Sequence, residues 1–152
     1  MTPSQLRAKV VMERVLWIRD MVSSIKALPV ESYSAFCSDQ RNVAAAESYL
    51  RRGLEALLDL GRHVLAKGFG EPAVEYKEIA SMLAQKGVLK EEDAELLKEL
   101  AGYQNRMVHF YQKVSEKELY DICTRDINDI ESILNVMIQW VKDHPEMIDQ
   151  TI

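Results

Sequence analysis

Glycine and proline are scarce, six and four in 152 residues, so few positions can turn the chain sharply or stop a helix. That scarcity points to helices joined by short connections. Cysteine is limited to Cys37 and Cys123, far apart and without a CxxC spacing. Two reduced, buried thiols of a cytosolic protein are expected, rather than a disulfide framework or a metal knot. No apolar run approaches the roughly 18 residues of a membrane span. The opening MTPSQLRAKVVMERV has no apolar signal core, so a cytoplasmic protein with no membrane business is expected. A basic surplus is missing too, the net charge being −5. Non-specific nucleic-acid binding feeds on Lys and Arg that displace counterions, so a histone-like coat is excluded. Any handling of RNA must use a local basic patch or a partner. HExxH, a Cys/His cluster, a glycine-rich phosphate loop and GxSxG are all absent from the sequence, and no metal or cofactor is expected.

What the chain does have is helical periodicity. By length, residues 1–152 make about one domain. Val11, Val15, Ile18, Val22 and Ile25 form a one-sided apolar stripe over a helix from about Gln5 to Leu28, ended by Pro29. A short segment near Ser32–Cys37 leads to Asp39, a candidate N-cap. The long helix that follows, Asn42 to Lys67, turns Val43, Leu50, Leu54, Leu57, Gly61 and Val64 inward. KGFGEP is a loop. Glu75 to Lys86 is a shorter helix stopped at Gly87, with Val88 placed to cover Leu83. Glu91 to about His109 is the fourth helix. Ser115 to Asp143 is the last, with a capping box at Ser115 and Glu118. Its inward face is Leu119, Ile122, Ile127, Ile130, Leu134, Met137 and Val141, and Pro145 closes it. The charge runs KEED and EKE suit solvated helix starts. No segment alternates as a strand. The expectation is an all-α, up-and-down bundle of about five helices.

One stretch raises a question of chemistry: LAGYQNRMVHFYQKV, Leu100 to Val114. Leu96, Leu100, Tyr103, Met107 and Phe110 fill a core stripe at four-three spacing, with Tyr103 expected to be buried. His109 falls off that stripe, beside Gly102 and Asn105, with Arg106 one turn back. Read from the residues, His109 is either a capping cation at a helix end or a working imidazole, and both remain open. His63, in the polar run GRH, and His144, before Pro145, read as surface or capping histidines.

LAGYQNRMVHFY followed by VSEKELYDI resembles the signature region of HepT toxins of the HEPN superfamily. That signature is an arginine, four residues, a histidine, any residue and a tyrosine, with asparagine typically after the arginine. AAAESYLRRGLEALLDLGRHVLAKG resembles the family's long second helix, and YKEIASMLAQKGVLKEEDAELLKELAGY its run into the motif. The likeness extends from about Arg41 to Trp140; the first helix resembles the family only in pattern. The resemblance implies a HEPN-like homodimer with two motifs at a shared cleft. It also implies a metal-independent endoribonuclease, neutralised by an MntA-like minimal nucleotidyltransferase that transfers AMP to the motif tyrosine. His109 would then be the catalytic histidine, Tyr111 the modified tyrosine, and Asn105 the polar residue after the arginine.

The motif arginine's own position holds Gln104. Metal-independent RNA cleavage needs a base for the 2′-hydroxyl, an acid for the leaving oxygen and positive charge on the phosphorane. Glutamine donates a hydrogen bond but brings no charge. Arg106 lies roughly 160° further round an ideal helix, so it does not simply replace an arginine at 104. Losing one charge-stabilising donor lowers rates on the order of 10²–10³. Three readings follow: a HepT-like ribonuclease toxin weakened or silenced by Gln104, a non-catalytic helical module that docks a nucleotidyltransferase, and a purely structural helical dimer.

Overall fold

The computed structural model describes residues 5–109 and 113–149. Helix α1 (Ala8–Lys26) is followed by the short α2 (Tyr33–Cys37) and the long α3 (Gln40–His63). A π-helical turn over Val64–Gly68 extends α3. Then come α4 (Tyr76–Gln85), α5 (Glu91–Val108), α6 (Glu116–Asp121) and α7 (Ile127–Asp143), the last two joined by a π turn over Ile122–Asp126. The five long helical runs of the sequence are present, with α2 as an additional short one. The fold is all-α. No described helix is long and apolar enough to cross a membrane.

The caps explain the boundaries. Asp39 accepts the Arg41 backbone N–H at 2.9 Å at the start of α3. Ser115 accepts from the Glu118 N–H at 3.1 Å while Glu118 accepts from the Ser115 N–H at 3.3 Å, closing a capping box. At the end of α4, Gly87 takes φ +77. There the Val88 N–H bonds Leu83 O at 2.9 Å and the Gly87 N–H bonds Ala84 O at 3.1 Å, with Val88 and Leu83 buried together. Pro145 opens a 3₁₀ turn just past α7.

The inward face expected of the last helix is buried throughout, from Leu119 to Val141. Its spacing of five between Ile122 and Ile127 is too long for an α-turn. The π turn at Ile122–Asp126 takes up the extra residue and keeps both isoleucines in the core. In α1 and α3 the expected stripes are also buried, except that Val11 and Val43 are only partly covered.

Two expectations are corrected. Leu6–Arg7 and Ile148–Asp149 pair as parallel two-residue strands β1 and β2. They are too short for alternation to register, and they make α1 begin at Ala8. The Arg7 N–H also donates to His63 Nε2 at 3.1 Å. His63 is therefore structural, and burial with nearby Lys67, Arg14 and Arg7 lowers its pKa to about 4. Second, α5 buries Ala94, Leu97, Leu100, Ala101 and Gln104, while Leu96, Tyr103 and Met107 are only partly covered. Small residues lie where α5 meets α4 and α3, and the bulky ones seal its flanks. Tyr103 is thus half-buried, its hydroxyl donating to Glu99 at 3.3 Å. Phe110, assigned to that stripe from the sequence, lies outside the described residues. Cys123 is buried and Cys37 partly so, both as free thiols.

Helix α3 can lie close to α4 because Gly61 has no side chain: a Cβ there would sit 2.9 Å from Ile79 Cγ2 and 3.0 Å from Leu83 Cδ1. Gly61→Val should lower stability by roughly 2–3 kcal/mol through overpacking. At Gly102 a Cβ would meet only Lys77 Cε at 3.8 Å, so Gly102→Ala should raise stability by about 1 kcal/mol through helix propensity. Urea denaturation measures both, and equal signs for the two would refute the packing argument.

Candidate functional site

Helix α3 has a second, polar stripe running Arg51, Arg52, Glu55, Asp59 and Arg62. Four of these residues face solvent only in part, because α1, α4 and α5 flank the stripe. Together they enclose a cleft of about 490 Å³. Its walls are Arg14 and Trp17 from α1, Arg51, Arg52, Glu55, Ala56 and Asp59 from α3, Tyr76 from α4, and Gln104 and Val108 from α5.

At the floor, Glu55 collects the polar contacts. Its Oε2 accepts from the Tyr76 hydroxyl at 2.6 Å and from Gln104 Nε2 at 3.2 Å. Burial, reinforced by that carboxylate, pushes the Tyr76 phenol up to about 12, so it remains a proton donor. Gln104 is 1% exposed, and its Oε1 is buried without a hydrogen-bond partner among the described residues. Its side chain holds Glu55 in place and presents almost nothing to the cleft. Asp59 sits above the usual carboxylate range, first through burial and then through Glu55, against the pull of Arg62 and Arg14. Arg62 bonds Asp59 at 2.6 Å and the Ala73 carbonyl at 3.2 Å, fixing the loop before α4 to α3.

The other candidates from the sequence are spread around this cleft. Asn105 lies on a neighbouring shallow depression with Tyr76 and Lys77. His109 caps α5 in extended geometry (φ −104, ψ 95), exposed, one residue beyond the cleft-lining Val108. The His109 N–H bonds the Asn105 carbonyl at 3.2 Å and closes the last turn of α5. Arg106 reaches the start of α6, bonding Glu118 at 2.7 and 2.9 Å and the Lys113 carbonyl at 2.9 Å. Tyr111 lies outside the described residues.

Sequence reasoning singled out neither Glu55 and Tyr76 nor the cleft residues Arg14, Trp17, Arg51 and Arg52. Only the polar stripe RRGLEALLD of α3 could have signalled them. A stripe of this kind looks the same in sequence whether water or three helices face it.

Solved structures share this architecture. A tri-AMPylated Shewanella oneidensis HEPN toxin, determined with its MNT antitoxin, superposes with a TM-score of 0.78 at 19% identity, covering 86% of this chain and 97% of its own. A chain of the toxin–antitoxin MntA-HpeT, in a mutant form, gives 0.76 at 18% identity, covering 86% and 98%. The Bacillus subtilis protein YutE, described as cytosolic and of unknown function, gives 0.77 at 13% identity, covering 92% and 94%. The fold is that of HEPN proteins. Comparison with curated sequences finds no match. Residues 18–137 match the family described as ribonuclease HepT-like, and the chain belongs to that family.

The Arg106–Glu118 pair has a measurable signature. Glu118 is held down to about 2, first by the Arg106 hydrogen bonds and then by the Ser115 N–H. A carboxyl depressed in the folded state stabilises above its unfolded pKa, and that contribution is lost as pH falls through the folded value. The window here runs from about 4.5 down to about 2. Arg106→Ala should move the Glu118 carboxyl midpoint, followed by NMR, back toward the ordinary range. An unmoved midpoint would mean the pair does not persist in solution.

Proposed function

We propose that this chain is the toxin half of a toxin–antitoxin pair: a metal-independent endoribonuclease, homodimeric and cytoplasmic, made of one HEPN domain and weakened by Gln104. The observation that carries this reading is the match of residues 18–137 to the HepT-like ribonuclease family, which spans the whole of α5 and its terminal His109. In the proposed reaction the ribose 2′-hydroxyl attacks the adjacent phosphorus and the bond to the 5′-oxygen breaks. His109 carries the proton from the 2′-hydroxyl to the departing 5′-oxygen, the general acid–base work an imidazole can do. Its exposed place at the end of α5, beside Val108 on the cleft wall, is open to a phosphodiester chain. Asn105, half-buried one turn earlier, would help to position the substrate. Arg106, committed to α6, would hold the motif helix rather than the phosphate. The homodimer is supported by the exposed apolar residues Met12, Leu16 and Val108, side chains that a partner surface would cover.

His109→Ala should abolish cleavage of an RNA substrate while EDTA leaves it unchanged. Gln104→Arg, whose guanidinium would meet Glu55, should raise it by up to about 10²–10³. Cleavage that EDTA stops and His109→Ala spares would remove the assignment.

A second reading is favoured by one observation. Gln104 is neutral, buried and hydrogen-bonded to Glu55, so the charge expected of the motif is missing at its own position. The chain would then be a non-catalytic module that docks a nucleotidyltransferase. In both readings the transferase would add AMP to Tyr111, two residues beyond His109 in sequence; the Shewanella toxin, solved in complex with its MNT antitoxin, is tri-AMPylated. Bulk and a phosphate charge there would exclude RNA sterically and by repulsion. Co-expression with a cognate nucleotidyltransferase, followed by peptide mass mapping, should find adenylate on the Tyr111 peptide and none in Tyr111→Phe. An unmodified Tyr111 beside an active transferase would leave direct masking as the means of control.

A further inference from the structure

Three arginines stand in the wall of the α1/α3 cleft, Arg14 from one helix and Arg51 and Arg52 from the other. Trp17 stands in the same wall and is 42% exposed although it is among the largest apolar side chains in the protein. The Arg52 guanidinium lies 5.7 Å over the Trp17 ring and 5.8 Å over that of Tyr49, so the indole is backed by a cation on one side. Arg51 meets Glu47 at 3.5 Å with 41% of its side chain exposed, a contact that solvent screens. The carboxylates facing the cleft are Glu55 and Asp59. Asp59 is matched by Arg62 at 2.6 Å, and Glu55 is occupied by Tyr76 and Gln104. The wall is locally cationic on a chain whose net charge is −5. A partly exposed indole in a cleft wall that also carries guanidiniums offers what single-stranded nucleic acid requires: a flat apolar face for a base and forked donors for the phosphates.

We propose that Trp17, Arg14, Arg51 and Arg52 form a single-stranded RNA subsite, a base stacking on Trp17 while the flanking phosphates pair with the guanidiniums. Helices α1 and α3 thereby supply the positive charge that Gln104 withholds. This rests on the reading of the cleft as the RNA site of a ribonuclease and adds to it the residues that grip the strand.

The test separates binding from cleavage. A fluorescein-labelled 2′-O-methyl oligouridine lacks the free 2′-hydroxyl and cannot be cut, so its anisotropy with the full-length protein reports binding alone. Arg14→Gln, Arg51→Gln and Arg52→Gln should each weaken binding several-fold and reduce the slope of log affinity against log salt by about 0.7. Trp17→Ala should weaken it roughly 5- to 100-fold, with partial recovery in Trp17→Phe. The chain has two tryptophans; in a Trp140→Phe background, unlabelled oligomer should quench the emission of Trp17. Circular dichroism of each variant controls for folding. RNA binding with unchanged affinity and salt slope in all four variants would overturn the subsite and leave the ribonuclease reading standing. No RNA binding at low salt, by protein that still binds a nucleotidyltransferase, would overturn both and make the cleft a protein-docking wall.

Discussion

Nine residues of α3 between Ala46 and Gly61 are buried, and the burial of that apolar face sets the position of everything around it. Each large aliphatic side chain removed from water contributes about 1.5–3 kcal/mol. The helix therefore has to be covered by α1, α4, α5 and α7, whatever its remaining residues carry. Covering it from several sides leaves its polar stripe half-enclosed. Arginines and carboxylates that would be solvated on a peripheral helix here become the lining of a cleft. The site follows from the packing of the core rather than from a loop laid over it.

Much of this was legible in the sequence. The stripe Leu119 to Val141 required an amphipathic helix, and Asp39, Ser115 and Gly87 marked three boundaries because their side chains, or the lack of one, satisfy backbone groups there. What sequence periodicity could not resolve was the inward face of α5. Leu96, Tyr103 and Met107 fit a four-three spacing as well as Leu97, Leu100, Ala101 and Gln104 do. Only the close approach of α4 and α3 selects the face with small residues. β1 and β2 are equally silent, since two residues carry no alternation. In the site, Gln104 and His109 were visible from the motif, whereas Glu55 and Tyr76 come from two other helices and meet it only in three dimensions.

Burial makes position 104 energetically distinctive. An arginine there would form a largely desolvated ion pair with Glu55, strong if completed and costly if either partner were removed. Glutamine replaces it with one uncharged donor, bonded to that carboxylate at 3.2 Å, and an amide oxygen left without a partner among the described residues. An unsatisfied buried acceptor costs about 1–3 kcal/mol. That is small against the whole fold's gains, so the substitution is tolerable to the structure even though it removes charge from the cleft. Stability and chemistry are separable at this residue.

The remaining polar residues of α5 show why the loss is not repaired from within the motif. Position 104 is buried against Glu55 of α3 at the floor of the cleft, and position 106 is carried about 160° away by helical geometry. There Arg106 is fastened by Glu118, whose carboxylate also closes the capping box of α6. Drawing Arg106 back to the cleft would break its two bonds to Glu118, unpair that carboxylate and release the Lys113 carbonyl. It would also detach α5 from the helix that follows. The arginine nearest in sequence is thus held by the fold itself. Any cation that serves a phosphate beside Gln104 has to come from the helices packed across the cleft, where Arg14, Arg51 and Arg52 already stand.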